Sequence, residues 1–412
     1  MKIVESLKTW IRSEADAVPL ALLFLVSPLM PLTTLKRLKE IEYYSYLPDP
    51  EDLLEKKRMD NVSGKMREVL EAALQAHQSG SKRIFEEKSE ELFSKTAIEL
   101  KLTEYNISQL FQLASLFTSV IPVTISSILF FTSPSDVFPI LSICAILSML
   151  VGGLMGFGVF PRELALTPPP LKSFIMLIGV LVIYIVSSIL ELERPLLTGV
   201  MIGGIPMALV HFFHRKKLIS MYKEARELVR RASNASYNIF AALGLEDPEY
   251  LLTDRWSSIA RSASTALYML CLYGGDKLGE SLQKLELYIG RYLDYLFRIM
   301  SKTRTMMFYA LIEAAIVSMM YSLTVGSLIL LGSEGGIGVD VLMIPSIRTL
   351  EEIDSFLDIV MTLNAFGLAL ATSSAREGQP LYFSVYLPII AGAMWAGYGF
   401  GNRMALSLVS GL

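Results

Sequence analysis

The sequence predicts an all-α, polytopic membrane protein with two cytoplasmic helical bundles and about seven transmembrane helices, and three observations carry that expectation. Positive charge is sorted: residues 1–110 hold 16 Lys and Arg and residues 214–305 hold 15, whereas 111–213 and 306–412 hold 3 each. Mean hydropathy is +0.47, with 52% apolar residues, above the usual soluble average. No useful stretch of either charged lobe alternates apolar and polar residues with the period of two that a strand needs.

The domains follow: an N-terminal lobe 1–110, four spans in 111–213, a second lobe 214–305, and three spans in 306–412 with an external loop 332–355. A span needs roughly 18 or more mostly apolar residues to cross about 30 Å of hydrocarbon. Candidates lie near 111–131, 138–160, 173–190, 195–213, 306–331, 356–374 and 381–400. The turn at Thr132–Asp136, the run Pro168–Pro169–Pro170 and the segment Glu191–Arg194 separate the first four. Residues 17–35 are also apolar, but Pro19, Pro28 and Pro31 interrupt them. Each would remove a helical hydrogen bond, so this stretch is assigned to the buried part of the first lobe.

Basic residues beside a span are retained in the cytoplasm. Arg215, Lys216 and Lys217 follow the fourth span, and Lys302 and Arg304 precede the fifth. Four spans between the lobes put both on one face, so the expected topology is multi-pass in the cytoplasmic membrane with the N-terminus cytoplasmic. The first residues, MKIVESLKTWIRSEAD, lack the apolar core of a signal peptide.

In the second lobe Leu278, Leu282, Leu285, Ile289, Tyr292, Leu296 and Ile299 recur at alternating spacings of 4 and 3, a heptad seam on a long amphipathic helix. No breaker stands between Gly290 and Phe308, so this helix is expected to run into the fifth span. Met59, Val62, Met66, Val69, Ala73 and Leu74 give a similar stripe in the first lobe, ending at Ser79–Ser81.

Chemistry is sparse. A net charge of −3 argues against nucleic-acid binding, which needs a concentrated basic excess. Cys144 and Cys271 are too few for a disulfide framework or metal cluster. His211 and His214 would need carboxylates to complete a metal site, and interface anchoring is the better reading. Asp354 and Asp358 stand one turn apart, a spacing open to cation binding or to the helix dipole. No P-loop, nucleophile elbow, HExxH or dinucleotide fingerprint is present. The sequence therefore predicts neither enzyme activity nor a cofactor or metal. Glu313 lies about two turns inside the fifth span, where a carboxylate is expensive. Either it makes a polar contact with a partner helix or a neighbouring span, or it snorkels to the cytoplasmic interface or hydrogen-bonds within the bundle.

The order of lobe, spans, second lobe and final spans resembles the platform proteins of type II secretion, type IV pili, tight-adherence pili and the archaellum. The most specific stretch, LYGGDKLGESLQKLELYIGRYLDYLFRIMSKTRTMMFYALIEAAI at 272–316, is similar to the F-type domain in its glycine pair and its long charged helix entering the membrane. The segment 363–390, with Asn364 and Gly367, resembles the archaeal and tight-adherence branch; the first lobe matches in layout alone. The resemblance implies a scaffold at the base of a filament, not a catalyst. Its implied partners are a secretion-type hexameric ATPase and pilin subunits, and it implies a homo-oligomer, dimer or trimer. The ATPase-facing candidates are Lys277, Glu280, Lys284, Arg291 and Asp294, which read equally as a solvated helix face. Gly274 and Gly275 would make the turn that positions the helix, and Gly274 alone also fits a plain C-cap. A second function class stays open: glycine-rich patches at 152–158 and 391–401 suit a transporter or the permease of an ATP-driven pump. Few intramembrane charges and the lack of an evident inverted repeat count against it.

Overall fold

The computed structural model describes residues 2–55, 62–132, 136–162, 164–235, 239–253, 258–275, 277–333 and 347–410. Among them the chain is all-helical. In order the helices are α1 (Lys2–Val26), α2 (Pro31–Lys39), α3 (Pro50–Leu54), α4 (Gly64–Ser79), α5 (Arg83–Thr118), α6 (Val120–Thr132), α7 (Val137–Gly158), α8 (Ile178–Ile189) and α9 (Pro195–Gly203). They continue as α10 (Ile205–Asn234), α11 (Ile239–Leu243), α12 (Ser258–Tyr273), α13 (Leu278–Lys302), α14 (Arg304–Ser333), α15 (Ile347–Glu377) and α16 (Phe383–Ser410). Two compact units result: Met1–Leu102, Pro161–Thr167 and Lys216–Arg298 form the first, and Thr103–Phe160, Pro168–Arg215 and Ile299–Leu412 the second.

The first unit draws on both charged lobes. The cause is α1: Ala17–Val26 is apolar on every side and each of its residues is buried, so it needs cover from both lobes. It packs against α4 from the first and α12 from the second. Phe24 meets the Phe85 ring edge-on at 5.7 Å. Across the lobes, Phe93 stacks on Tyr288 at 4.3 Å, and Lys284 reaches Glu86 at 3.2 Å.

Residues 17–35 lie within this unit. Pro31 occupies the first turn of α2, where no donor is lost, and α1 and α2 meet at 119°. Inside the corner Ser27 Oγ and Thr34 Oγ1 share a 2.8 Å hydrogen bond, and the Lys82 ammonium donates to the Ser27 carbonyl. In α4 the Ser63 hydroxyl accepts from Met66 N–H at 3.2 Å, and Gly80, at φ 66°, closes the other end in the left-handed region glycine favours. Met59 of the expected stripe lies outside the described residues; Val62, Met66, Val69, Ala73 and Leu74 are buried.

Among the described residues seven helices are long and apolar enough to cross a membrane: Arg83–Leu129, Val137–Gly158, Leu171–Ile189, Pro195–Asn234, Leu278–Ile329, Arg348–Glu377 and Pro380–Leu408. The chain is membrane-embedded. Their outward side chains, such as Leu154, Ile175, Ile189, Phe213 and Tyr309, are exposed and apolar, as a lipid-facing surface requires. The sixth differs from expectation. Residues 347–355, expected in an external loop, are the first turns of α15, while 334–346 of that loop lie outside the described residues.

Small residues set the closest approaches. A Cβ at Gly397 would stand 2.2 Å from the Ala315 carbonyl oxygen, and one at Gly401 2.4 Å from that of Met319, so α16 lies backbone to backbone on α14. On α7, a Cβ at Gly152 would meet Ala371 N of α15 at 2.8 Å, and one at Gly156 would meet the Pro380 ring at 2.5 Å. Both pairs are glycines four apart, the small-residue spacing by which membrane helices come close without a hydrophobic driving force.

Candidate functional site

Polar chemistry is concentrated at several places among the described residues of each unit. In the first unit one is the outer face of α13. The heptad seam is buried, with Leu282, Leu285, Ile289 and Leu296 each 2% exposed or less. The opposite crest carries Lys277, Glu280, Lys284, Leu287, Arg291, Asp294 and Arg298, again at spacings of 3 and 4. All five ATPase-facing candidates thus share one stripe. Lys284 bonds Glu280 at 2.9 Å as well as Glu86. Asp294 receives Arg226 of α10 at 2.8 Å. Grooves of 750 and 760 Å³ flank the crest, and Leu287, Arg291 and Asp294 line both.

Gly274 and Gly275 deliver the chain to this helix in different ways. Gly274 N–H closes α12 on the Leu270 carbonyl at 2.9 Å, and a Cβ there would stand 2.4 Å from that oxygen. Gly275 accepts Leu278 N–H at 2.9 Å and has open space around it. Gly274 is therefore demanded by close approach, and Gly275 is not. Beyond α13, Thr303 N–H and hydroxyl both bond the Ile299 carbonyl, at 2.9 and 2.8 Å, and Met306 N–H bonds the Thr303 carbonyl at 3.2 Å, so a single turn joins α13 to α14.

A buried carboxylate anchors the base of α1. Asp16 accepts the Tyr46 hydroxyl at 2.6 Å and the Tyr43 hydroxyl at 3.2 Å, with Arg12 at 3.8 Å. Burial raises its pKa, opposed by Tyr46, Arg12 and Tyr43, and burial next to Asp16 pushes Tyr43 up to about 12. The guanidinium groups of Arg12 and Arg261 each lie 4.0 Å from the Tyr43 ring centre.

In the second unit the ionisable groups pair across helices. Arg194, 2% exposed, binds Asp354 at 2.5 Å and donates to the Tyr398 hydroxyl. Asp358 accepts the N–H groups of Leu196 and Leu197 at 2.8 and 3.0 Å, capping α9 from a neighbouring helix. At the other end of the same helices, Arg215 meets the fully buried Glu377 at 2.7 Å, and the Tyr386 hydroxyl donates to Glu377 at 2.6 Å. The other Glu377 oxygen has no hydrogen-bond partner among the described residues. The two arginine-paired acids of α15, Asp354 and Glu377, stand 23 residues apart, about 34 Å along a helix, close to one bilayer crossing.

Glu313 takes a polar neighbour: its Oε2 accepts the Ser115 hydroxyl of α5 at 2.7 Å, while Oε1 is buried with no hydrogen-bond partner among the described residues. His211 departs from interface anchoring. It is wholly buried, bonded to Ser173 at 2.5 Å and to Ser384, because its ring packs against Phe174. Asp354 and Asp358 are taken up by protein partners. Among the described residues no three His, Cys, Asp or Glu gather as metal ligands.

Reading the sequence left Glu377 and Asp16 without roles, gave Arg194 only a place between spans and gave Arg215 only a part in orientation. A signal for Arg194, Arg215 and Glu377 was present: Arg194 and Arg215 are 21 residues apart and Asp354 and Glu377 are 23, so each pair brackets one span. Comparison with family models, with curated proteins and with solved structures finds no match to this chain.

Proposed function

We propose that the chain is a membrane platform, the scaffold of a type IV pilus-like or archaellum assembly machine that couples a cytoplasmic secretion ATPase to insertion of pilin subunits into the fibre. The observation that carries this reading is the join at Thr303, a single residue between α13 and α14, which leaves Leu278–Ile329 one helical segment of 52 residues, charged at one end and apolar at the other. A stiff element of this kind transmits displacement that a flexible linker would dissipate. On this reading the ATPase meets the α13 crest, the N-terminus and the first unit are cytoplasmic, and the membrane is the cell membrane of an archaeal-type host. The platform works as a dimer or trimer, and this chain needs no catalytic residue or cofactor of its own.

The small-residue contacts and the cross-helix ion pairs of the second unit favour a rigid scaffold over a transport path. Glu313, already bonded to Ser115, would offer its second oxygen to a subunit helix if the carboxylate rotates. The test is deletion of the gene with complementation by the unmodified chain and by one carrying a Gly-Ser insert after Thr303. Filaments return with the first and stay absent with the second at equal protein level. Full filament assembly by the insert, or no filament defect on deletion, overturns the reading.

A further inference from the structure

We infer that the crest of α13 receives an acidic amphipathic helix of a different protein, seating an apolar residue on Leu287 and carboxylates on Arg291 and Arg298. This deepens the platform reading and rests on it in taking the crest as water-facing. Leu287 is 48% exposed, an apolar residue at the summit of a charged stripe, with grooves on both sides. A lone exposed leucine is ordinary on any surface; here the charges around it add the specificity.

The crest reads plus, minus, plus, apolar, plus, minus, plus from Lys277 to Arg298. Its acids are taken: Glu280 is bonded by Lys284, and Asp294 by Arg226. Lys284 is taken as well. Arg291 and Arg298 are exposed and make no ion pair among the described residues, so the half of the crest beyond Leu287 presents uncompensated positive charge. Aromatic rings floor the groove beside it, Phe93 and Tyr288 in a stack and Tyr295 two turns further. An apolar anchor standing between two cations along the crest, Lys284 and Arg291, is matched by a helix with the opposite arrangement.

A second copy of this chain does not fit. Stacked in the usual layers, two such stripes bring opposite signs together when antiparallel, pairing Lys284 with Asp294 and Glu280 with Arg298. Yet α13 continues into α14 as one helix, so two copies in one bilayer present their α13 helices in the same direction. Side by side in register they set Lys277, Lys284, Arg291 and Arg298 each against its own kind. Like charges facing across an interface cost affinity and exclude that partner.

The experiment uses the full chain in nanodiscs and two labelled synthetic helices of equal length. Both carry Leu at the central crest-facing position; one has Glu and the other Lys at the remaining crest-facing positions. Fluorescence anisotropy should show binding of the Glu helix and about tenfold weaker binding, or none, of the Lys helix. Arg291→Glu with Arg298→Glu should reverse that order, and Leu287→Asp should abolish binding of either. Equal affinities, no binding, or binding indifferent to these substitutions overturns the proposal. So does an intermolecular disulfide formed by Leu287→Cys in the purified oligomer, which would seat a second copy on the crest. The two-helix comparison needs no variant, so a substitution that unfolds the chain leaves the test intact. Filament counts in cells test the platform reading separately, and either result can fail while the other holds.

Discussion

Arg215 Nε stands 2.7 Å from Glu377 Oε1, and the glutamate side chain is entirely buried. Removing one partner strands the other charge away from water. Glu377→Ala should cost about 3–5 kcal/mol of unfolding free energy, whereas the double replacement Arg215→Met with Glu377→Leu should cost far less. Chemical denaturation in detergent, run as a double-mutant cycle, measures both; a loss in the double variant equal to the sum of the two single losses would show that the pair does not interact.

Neighbouring glycines of α16 should respond in opposite ways. A methyl at Gly397 is driven to 2.2 Å from the Ala315 carbonyl oxygen, and overpacking of this kind costs about 1–3 kcal/mol. At Gly399 nothing lies within 4 Å, so Gly399→Ala should be neutral or stabilise by up to about 1 kcal/mol through helix propensity. Thermal unfolding of Gly397→Ala and Gly399→Ala side by side decides it.

Helices and spans were legible because their signals are local. Apolar length located the seven spans, and the 4-3 spacing from Leu278 to Ile299 located the α13 seam residue by residue. What escaped depends on partners remote in the chain. Nothing near Glu377 in sequence announces Arg215, and nothing in Ala17–Val26 states that its cover comes from both charged lobes. The α13 crest was legible as a set of charges but not as a surface. Which charges are neutralised at home depends on Arg226 and Glu86, 68 and 198 residues away from Asp294 and Lys284.

Lys82 should titrate early. Burial lowers its pKa from 10.5 to about 8; Glu86 opposes the shift, and Lys284 and Lys277 add to it. Between about pH 8 and 10.5 the unfolded chain holds this proton and the folded chain does not, so stability contributed here rises as pH climbs through that window. Below about pH 8 the cost is present in full. Mass-spectrometric acylation as a function of pH should give half-maximal reactivity of Lys82 near 8; a midpoint near 10.5 would show the site to be open to water.

The cross-helix pairs also fix which loops share a side of the membrane. Leu192→Cys and Glu351→Cys, at the Arg194–Asp354 end, should be labelled together by a membrane-impermeant thiol reagent. Lys216→Cys and Gln379→Cys, at the Arg215–Glu377 end, should be labelled only after permeabilisation, given a cytoplasmic N-terminus. Two members of one pair on opposite sides would break the helix order of the second unit.

Because α15 is held by an arginine near each rim of the bilayer, it has no free sliding coordinate against α9 and α10. A ratchet step of one turn, about 5.4 Å, would strip both acids of their counterions at once. These helices therefore behave as a stator: if this protein passes on mechanical work, the stroke must run through parts not bolted at both rims, and α14, gripped by α16 through glycine contacts without an ion pair among the described residues, is the part so placed.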